Sequence, residues 1–215
     1  CQKDLNIAKE YKIVSPKKMI CIYNGMANID NYKEKKINIK NPIRLIMTAR
    51  FEPQKDHKIL IECLSKLKNT NWKLTLLGKG KLKRKIYDIC RDLEILDKVE
   101  FIGWTSNVSD FLKKSDIYIL TSNWEGFPRS IIEAIRAGLP VIASDVGGVS
   151  ESVKNDINGY LVPKSNSKKL IEALDSLISS PALIEKFGKK SREIYINNFQ
   201  FSKMAINTER VYKNI

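Results

Sequence analysis

The chain has 215 residues, 43% of them hydrophobic and 29% charged, and 38 Lys and Arg outnumber 24 Asp and Glu to give a net charge of +14. This composition excludes a disordered chain, and no apolar run approaches the ~20 residues that a membrane-spanning helix needs. The basic balance favours anionic partners, such as a phosphorylated ligand or an acidic membrane surface, but no aromatic RNA-reading motif is present and we expect no nucleic acid.

The cysteines indicate packing rather than metal binding. Cys1, Cys21, Cys63 and Cys90 form no C-x-x-C pair, and the only histidine is His57. The sequence therefore predicts reduced cysteines and no zinc site, which favours a cytoplasmic location. The opening "CQKDLNIAKEYKIV" lacks both a signal peptide and an initiator methionine. We therefore expect a fragment of a longer protein.

Residues 1–40 are less regular than the rest. A helix-like segment and the strand-like "KKMICIY" lead into "NG", and the charged "YKEKKINIKNP" is typical of a linker. Beyond it, short apolar runs alternate with longer helical patterns. The predicted strands are 44–49, 72–78, 98–103, 116–122, 140–144 and 159–163. The predicted helices are 56–68, 81–95, 108–115, 129–138, 148–155, 167–180, 181–199 and 202–214.

This alternation predicts an α/β, Rossmann-like fold with a roughly six-stranded parallel sheet and helices on both faces. The strands are nearly continuous in hydrophobicity, as strands covered on both sides should be. Right-handed crossovers place all strand carboxyl ends along one edge, where ligands of such sheets bind. The residues that follow each strand are therefore the candidates for ligand contact.

Two bases follow the first strand. Arg50 lies at its end and Lys55 lies just before the next helix, in "TARFEPQKDHKILI". The planar fork of Arg and the mobile charge of Lys suit a diphosphate. The alternative is two exposed bases among 38. His57 is expected to be a surface residue of the first helical turn.

The loops after the second and third strands contain small residues and a tryptophan. Gly78 and Gly80 form a Gly-x-Gly turn without the third glycine of a dinucleotide fingerprint, so NAD binding is not favoured. Gly103 and Trp104 follow "VEFI". Trp104 is a candidate for lining a nucleotide pocket, although packing is the simpler interpretation.

The loop after the fourth strand opens a helix in "SNWEGFPRSIIEAIRAGLPVIASDVGG". Gly126 permits close backbone approach, and Pro128 suits the first helical position. The amides of Arg129 and Ser130 then point out of the helix mouth, where they can meet a phosphate oxygen or a sugar hydroxyl.

Two carboxylates flank this mouth. Glu125 precedes it and Glu133 lies more than a turn inside the helix. Carboxylates accept hydrogen bonds without donating any, which suits a polyol such as ribose or hexose. The alternative is one Glu that favours the helix dipole and one that faces solvent. Gly147 and Gly148, after the fifth strand, are interpreted as a structural turn.

The set of residues at these strand ends resembles the donor-binding half of retaining glycosyltransferases with the GT-B fold, family 4 (group 1). The matching elements are "AR…QK", "LLGKG", "VEFIGW", "EGFPRSIIEAIRAGLPVIASDVGGVSE" and "NGYLV", in the family's order. The resemblance runs from about Tyr23, where "IYNG" matches the start of the family's second domain. The two glutamates separated by seven residues and followed by "AGLPVIAS" are the most specific part.

The resemblance implies a role for each matched position. It assigns the donor diphosphate to Arg50, Lys55, Arg129 and Ser130. It assigns the donor sugar to Glu125, Gly126, Phe127 and Pro128, and the ribose to Glu133. The candidates for nucleotide lining are Gly78, Gly80, Gly103 and Trp104.

The resemblance also implies a reaction that retains anomeric configuration and needs no metal or other cofactor. The substrate would be a UDP- or GDP-linked sugar, and its hexose would pass to a cell-surface glycan such as lipopolysaccharide or capsule. No residue is assigned as general base, because a donor phosphate oxygen can help to deprotonate the acceptor.

The resemblance further implies a division of the chain. Residues 1–40 would be the tail of an acceptor domain and a linker, residues 41–198 the donor domain, and residues 199–215 a helix that packs towards the acceptor domain. Lipid-linked or oligosaccharide acceptors would bind through that preceding domain, so we expect this chain alone to transfer sugar poorly or not at all. Location would be cytoplasmic, with peripheral contact to the inner face of an anionic membrane as a further expectation.

Three alternative functions share some of these sequence features. A nucleotide-sugar epimerase of GT-B architecture would need catalytic acids and a histidine that the sequence does not offer. A non-catalytic basic module would bind nucleotide or nucleic acid in a salt-sensitive way. A glycosidase would need carboxylates facing each other across a cleft, whereas these lie along one helix mouth.

Overall fold

The computed structural model describes residues 1–29, 32–38 and 40–213. In this part of the chain the strands are β1 Ile43–Thr48, β2 Trp72–Leu77, β3 Val99–Ile102, β4 Ile117–Leu120, β5 Val141–Ser144 and β6 Gly159–Val162. They form one sheet in the order β3-β2-β1-β4-β5-β6, and every neighbouring pair is parallel. The predicted α/β, Rossmann-like fold is confirmed.

A helix connects each strand to the next, as the alternating pattern predicts. The helices are α1 Gln2–Glu10, α2 His57–Leu64, α3 Lys83–Asp92, α4 Val108–Lys114, α5 Arg129–Arg136, α6 Val149–Ser152, α7 Ser167–Ile178, α8 Pro181–Asn198 and α9 Phe201–Lys213. Helix α2 ends four residues earlier than its apolar pattern. There the Ser65 hydroxyl donates to the carbonyl of Glu62 at 3.0 Å, and such local bonds compete with the helix ladder.

The core lies between the sheet and the helices on its two faces. Strands β4 and β5 are buried at every position, which explains why they appear in the sequence as continuous apolar runs. Helix α5 packs against α8, and α2 packs against α7. Even the large rings of Trp72 and Tyr118 are buried inside the sheet.

The segment 17–23, predicted as strand-like, is not a strand. It begins with a 3₁₀ turn at Pro16–Lys18 and continues as extended chain. The backbone that follows pairs instead with the junction between α8 and α9. The amide of Met26 donates to the carbonyl of Phe199 at 2.9 Å, and the amide of Phe201 donates to the carbonyl of Met26 at 2.8 Å.

The first and last helices lie on the outside. Neither α1 nor α9 contains a buried residue among those described, and Ile7, Ile206 and Tyr212 are exposed. Over residues 1–29, 32–38 and 40–213, no helix combines the length and apolar character that crossing a bilayer requires.

The strand order reverses between β1 and β4. The chain runs outward from β1 through β2 to β3 and then returns to β4 on the other side of β1. In open parallel sheets this switch point leaves a crevice beyond the strand ends, where ligands bind. The loops that follow β1 and β4 meet there, and they contain Arg50, Lys55 and Glu125 among the residues singled out from the sequence.

Candidate functional site

Hydrogen bonds join the loops after β1 and β4. The Gln54 side chain donates to the carbonyl of Trp124 at 2.8 Å, and the amide of Asn123 donates to the carbonyl of Gln54 at 2.7 Å. The Asn123 side chain adds a bond to the carbonyl of Pro53 at 3.0 Å. These contacts fix the position of the short 3₁₀ helix Pro53–Lys55 against the loop that contains Glu125.

Lys55 and Glu125 form an ion pair at the switch point. The ammonium of Lys55 contacts Oε1 of Glu125, and the hydroxyl of Ser122 donates to the same oxygen at 2.6 Å. The side chains are only 15% and 8% exposed. Because isolated charges are costly to bury, each group depends on its partner. The structure thus joins two of the residues that the sequence assigned to the donor, and it adds Ser122, which sequence reasoning missed.

Gly147 and Gly148 pack against the loop that contains Glu125. Gly147 has a left-handed backbone with φ of 54°, and a Cβ there would lie 1.8 Å from the carbonyl oxygen of Glu125. The amide of Gly148 donates to the carbonyl of Gly126 at 2.7 Å. The turn after β5 therefore supports the loop after β4 from beneath, which the sequence did not indicate.

Helix α5 begins at Arg129, the first residue of the predicted helix. Pro128 is its N-cap, with an extended backbone (φ −70°, ψ 116°), and Arg129 is the first helical residue. The interpretation of Pro128 as the first helical position was wrong, because its ψ angle is not helical. The amides of Arg129 and Ser130 remain at the first turn, where helix geometry provides no intrahelical partner.

A buried tyrosine lies beneath this first turn. The hydroxyl of Tyr118 is 3.2 Å from the hydroxyl of Thr48 at the end of β1. Burial raises the pKa of Tyr118; bonds with Ser130 and Thr48 oppose the rise, and the charges of Glu133 and Glu125 add to it. The charges of both glutamates therefore act on the Tyr118 hydroxyl, and its hydrogen bonds connect the end of β1 with the first turn of α5. In the sequence, the only feature that could have drawn attention to Tyr118 is its position as the single tyrosine in the apolar run "DIYILTS".

Glu133 lies on the flank of α5. It is half-buried, and burial raises its pKa while the nearby charges of Arg136 and Arg129 oppose the rise. Together with Arg129 it lines an open cavity of about 410 Å³ between α5, the segment around Gly25 and the start of α9. The lining of this cavity includes neither Lys55 nor Glu125.

Arg50 lies at the carboxyl end of β1. Its side chain is exposed and has no ion pair with any other residue in the described part of the chain. It shares a loop with Lys55, so both predicted diphosphate bases are at the switch point.

The two glycines after β2 have a packing role. Cβ atoms at Gly78 and Gly80 would lie 2.1 Å from the carbonyl oxygen of Ala49 and 2.5 Å from that of Phe51. Both glycines therefore allow the loop after β2 to approach the loop after β1. By contrast, Gly103 faces open space, and Trp104 is 71% exposed with the ammonium of Lys79 5.9 Å from its ring. Trp104 is thus accessible to a ligand, and packing does not account for it.

His57 is buried, contrary to the sequence prediction. It is 2% exposed, and its ring stacks on Phe51 at a centroid distance of 4.4 Å. Burial, with a smaller contribution from the charge of Lys55, lowers its pKa to about 4. The imidazole is therefore neutral near pH 7. It supports the β1–α2 loop from within rather than facing solvent at the helix start.

Comparison with known proteins places the chain in a family. Residues 28–194 match the glycosyl transferases group 1 family. An Escherichia coli UDP-Gal:alpha-D-GlcNAc-diphosphoundecaprenol alpha-1,3-galactosyltransferase is 27% identical over 224 residues, covering 98% of this chain and 58% of that enzyme. The lipopolysaccharide 1,6-galactosyltransferase of Escherichia coli K12 is 34% identical over 141 residues, covering 63% of this chain and 39% of that enzyme. The chain thus spans about half the length of these curated relatives.

Solved structures share the fold. The Anabaena protein Alr3699/HepE in complex with UDP has a TM-score of 0.86 at 21% identity, covering 97% of this chain and 61% of that one. The lipopolysaccharide outer core galactosyltransferase WaaB, in its apo form, has a TM-score of 0.80 at 22% identity, covering 99% and 60%. The family match over residues 28–194 and this shared fold show that the chain belongs to the group 1 glycosyltransferases, of GT-B architecture.

Proposed function

We propose that this chain is the donor-binding part of a retaining, metal-independent glycosyltransferase of family 4. Its substrate is a nucleotide-diphosphate sugar, and the whole protein transfers the hexose to a lipid-linked or oligosaccharide acceptor of a cell-surface glycan. The observation that carries the proposal is the Lys55–Glu125 pair at the switch point, beside the first turn of α5. The names of the two Escherichia coli galactosyltransferases support the substrate class and the kind of acceptor.

In the proposed mechanism, this chain holds the donor and stabilises its leaving group. Arg50, Lys55 and Arg129 bind the diphosphate together with the first-turn amides of α5, and the hydroxyl of Ser130 adds a further bond. As the bond to the sugar breaks, negative charge grows on the departing diphosphate, and fixed positive groups favour that change. No residue is assigned as general base, and a donor phosphate oxygen assists the acceptor hydroxyl.

The sugar and the ribose are held by carboxylates. Glu125 accepts hydrogen bonds from hydroxyls of the transferred hexose, with Gly126, Phe127 and Pro128 beside it. Glu133, on α5, accepts hydrogen bonds from hydroxyls of the ribose. The nucleotide lies against the residues that follow β2 and β3, which are Gly78, Gly80, Gly103 and Trp104.

The division of the chain is part of the proposal. Residues 1–40 form the tail of an acceptor domain and a linker, residues 41–198 the donor domain, and residues 199–215 a helix directed towards the acceptor domain. The exposed apolar side chains of α1 and α9 support this arrangement, since Ile7, Ile206 and Tyr212 have no core to pack against in the described part of the chain.

Arg50→Gln is expected to weaken binding of the cognate nucleoside diphosphate about tenfold or more. One charge-assisted hydrogen bond contributes roughly 1.5–3 kcal/mol, and the exposed Arg50 carries little packing. Isothermal titration with UDP and with GDP measures the change. The matched control is Arg91→Gln on α3, an exposed arginine paired with Asp88 and Asp92, which should bind as the wild type does. Wild-type affinity in the Arg50 variant, or no binding of either nucleotide by the wild type, would contradict the proposal.

The alternatives have less support. The relatives described above are galactosyltransferases by name, and neither name indicates an epimerase or a nucleic-acid-binding module. The same titration series separates them. A basic module would bind a DNA oligomer in a salt-sensitive way, and that binding would be indifferent to Arg50→Gln.

We also propose that the chain is cytoplasmic and touches an anionic membrane through a basic surface at the start of α3. This α3 basic surface consists of exposed Lys79, Lys81, Arg84 and Lys85. No Asp or Glu occurs between Lys79 and Tyr87.

The triple variant Lys81→Gln, Arg84→Gln, Lys85→Gln is expected to bind phosphatidylglycerol vesicles about a hundredfold more weakly. Each basic residue near an anionic surface contributes roughly 1 kcal/mol. Vesicle sedimentation at low salt measures this. The control variant removes the same charge elsewhere, at the exposed Lys164, Lys168 and Lys186. An equal loss in both variants would show that net charge, and not the α3 basic surface, is responsible.

A further inference from the structure

Two stretches of backbone lie side by side where the chain enters and leaves the sheet domain. We call segments 23–26 and 199–201 the crossing pair. Besides the two hydrogen bonds of Met26 described above, the hydroxyl of Tyr195 donates to the carbonyl of Met26 at 2.9 Å. A Cβ on Gly25 would lie 2.5 Å from the carbonyl oxygen of Gln200. The crossing pair is therefore tightly packed, and a shift of one segment moves the other.

An aromatic cluster connects the crossing pair to the loop proposed to hold the sugar. The ring of Tyr23 lies 5.2 Å from the ring of Phe127 and 5.7 Å, edge to face, from that of Phe199. Phe127 and Phe199 are themselves 5.5 Å apart. Tyr23 and Phe199 belong to the crossing pair, whereas Phe127 lies between Glu125 and the start of α5. Such ring contacts are worth roughly 0.5–1.5 kcal/mol beyond burial and have a preferred geometry.

The other end of Tyr23 is also fixed. Its hydroxyl donates to a carboxylate oxygen of Glu151 at 2.7 Å. Glu151 accepts two more bonds, from the amides of Gln2 at 2.7 Å and Lys3 at 2.9 Å. Burial alone would raise the pKa of Glu151, but these three bonds outweigh it and hold the pKa below its usual value. The ring is thus held at its hydroxyl end by an ionised carboxylate and along its edge by two phenylalanines.

Glu151 lies on α6, directly after the glycine turn that supports the same loop. Gly148 donates to the carbonyl of Gly126 from one side, and Tyr23 contacts Phe127 from the other. The loop Glu125–Pro128 is therefore held by the hydrogen bond from Gly148 and by the ring contact with Tyr23. Glu151 is linked to both, because it follows Gly148 on α6 and bonds to the hydroxyl of Tyr23. The diphosphate bases Arg50 and Lys55 lie on a different loop, after β1, which Tyr23 does not contact in the described structure.

We infer that Tyr23 is a positioning residue for the loop that holds the donor sugar, acting through Phe127 and coupling that loop to the crossing pair. The inference rests on the proposed function and deepens it. It separates two parts of donor recognition. Arg50, a proposed diphosphate base, lies on the loop after β1, which Tyr23 does not contact in the described structure, whereas the sugar is bound by a loop whose position depends on Tyr23.

The test compares a nucleotide with its sugar conjugate on this chain. Isothermal titration gives the dissociation constants of UDP and UDP-galactose, and of GDP and GDP-mannose. For the pair that binds, we define the sugar ratio as the dissociation constant of the nucleoside diphosphate divided by that of the nucleotide sugar. This ratio reports the contribution of the sugar to affinity. In Tyr23→Leu, the dissociation constant of the nucleoside diphosphate is expected to stay within about twofold of the wild-type value, and the ratio is expected to fall about tenfold. Tyr23→Phe keeps the ring contacts and should restore most of the ratio.

A matched control exists on the far side of the sheet. Tyr160 also makes an edge-to-face ring contact, 5.6 Å from Phe187, and its hydroxyl bonds to that of Ser176 at 3.0 Å. Tyr160→Leu removes a comparable set of contacts away from the loop, so it should lower stability without changing the ratio. Glu151→Gln provides a second test if Tyr23→Leu does not fold, since it loosens the ring without removing it and should lower the ratio by a smaller factor.

The outcomes are distinct. An unchanged ratio in Tyr23→Leu and Glu151→Gln, an equal loss of both ligands, or a wild type for which the sugar adds no affinity would overturn the role of Tyr23 while nucleotide binding stands. A wild type that binds none of the four ligands would overturn the proposed function, and this inference with it.

Discussion

Lys55→Met is expected to lower the free energy of unfolding by about 3 kcal/mol, because it leaves the carboxylate of Glu125 nearly buried and without its cation. Removing one partner of a buried ion pair is costly, whereas removing both is often tolerated. The double variant Lys55→Met, Glu125→Gln should therefore recover most of the loss, since the amide can still bond to Ser122. Urea unfolding followed by circular dichroism measures all three chains.

A matched lysine lies three residues further on. Lys58 pairs with Glu62 at 3.5 Å on the surface of α2, where the side chains are 58% and 40% exposed. Exposed pairs of this kind contribute roughly 0–1 kcal/mol, so Lys58→Met should change stability little. If Lys55→Met costs no more than Lys58→Met, or if the double variant is no more stable than Lys55→Met, the pair is not the buried, mutually dependent unit that its geometry indicates.

Gly147→Ala is expected to destabilise the chain by about 3 kcal/mol and to weaken binding of a nucleotide sugar. Two costs add: a left-handed backbone is unfavourable for alanine by roughly 1–3 kcal/mol, and the new methyl group would meet the carbonyl oxygen of Glu125 at 1.8 Å. Relief of that contact requires movement of the loop that contains Glu125. Thermal unfolding and titration with UDP-galactose and GDP-mannose measure the two effects.

The control for this change is Gly103→Ala. A Cβ at Gly103 meets nothing within 4 Å, and its backbone is not left-handed. Its stability should stay within about 0.5 kcal/mol of wild type, as for an ordinary surface substitution. If Gly147→Ala were as mild as Gly103→Ala, the turn after β5 would not support the loop.

The fold could be predicted because buried parallel strands have a simple signature. Each of the six strands lies within an apolar run singled out from the sequence, shorter by one to three residues or shifted by one. Each run is short and bounded by Gly, Pro or charged residues, which leaves little room for a helix. The segment 17–23 has the same apolar character but is not a strand, because it pairs with no strand of the sheet in the described part of the chain, and the ring of its last residue, Tyr23, packs against Phe199 instead. The hydrophobic pattern of a segment does not indicate which other part of the chain it packs against.

The start of the core could not be placed from composition either. The charged linker suggests a domain that begins at residue 41, and that division stays a prediction. However, Met26 and Ile29 are only 7% and 8% exposed and pack in the same core. Isolated apolar residues in a charged stretch give no periodic signal, so their burial becomes visible only in three dimensions.

The contacts of the site were the least predictable feature. The predicted parallel sheet places the ends of all strands along one edge, but it does not say that the loops after β1 and β4 are neighbours. Lys55 and Glu125 are 70 residues apart in sequence, and no local pattern indicates that they bond. The burial of His57 depends on the ring of Phe51, six residues earlier. The role of Gly147 depends on a carbonyl oxygen after another strand. The positions of the strands follow from local pattern, whereas these contacts follow from how distant loops pack.

The pairing of Lys55 with Glu125 has a consequence for discrimination among small molecules. With both groups in their proposed roles, inorganic pyrophosphate would bind the ammonium of Lys55 and leave the carboxylate of Glu125 without a partner. A free hexose would bind the carboxylate and leave the ammonium without a partner. Either compound must therefore compete against an internal salt link. Only a molecule that carries an anion and vicinal hydroxyls in one covalent unit replaces both partners at once, so the pair favours a nucleotide sugar over inorganic pyrophosphate or a free hexose.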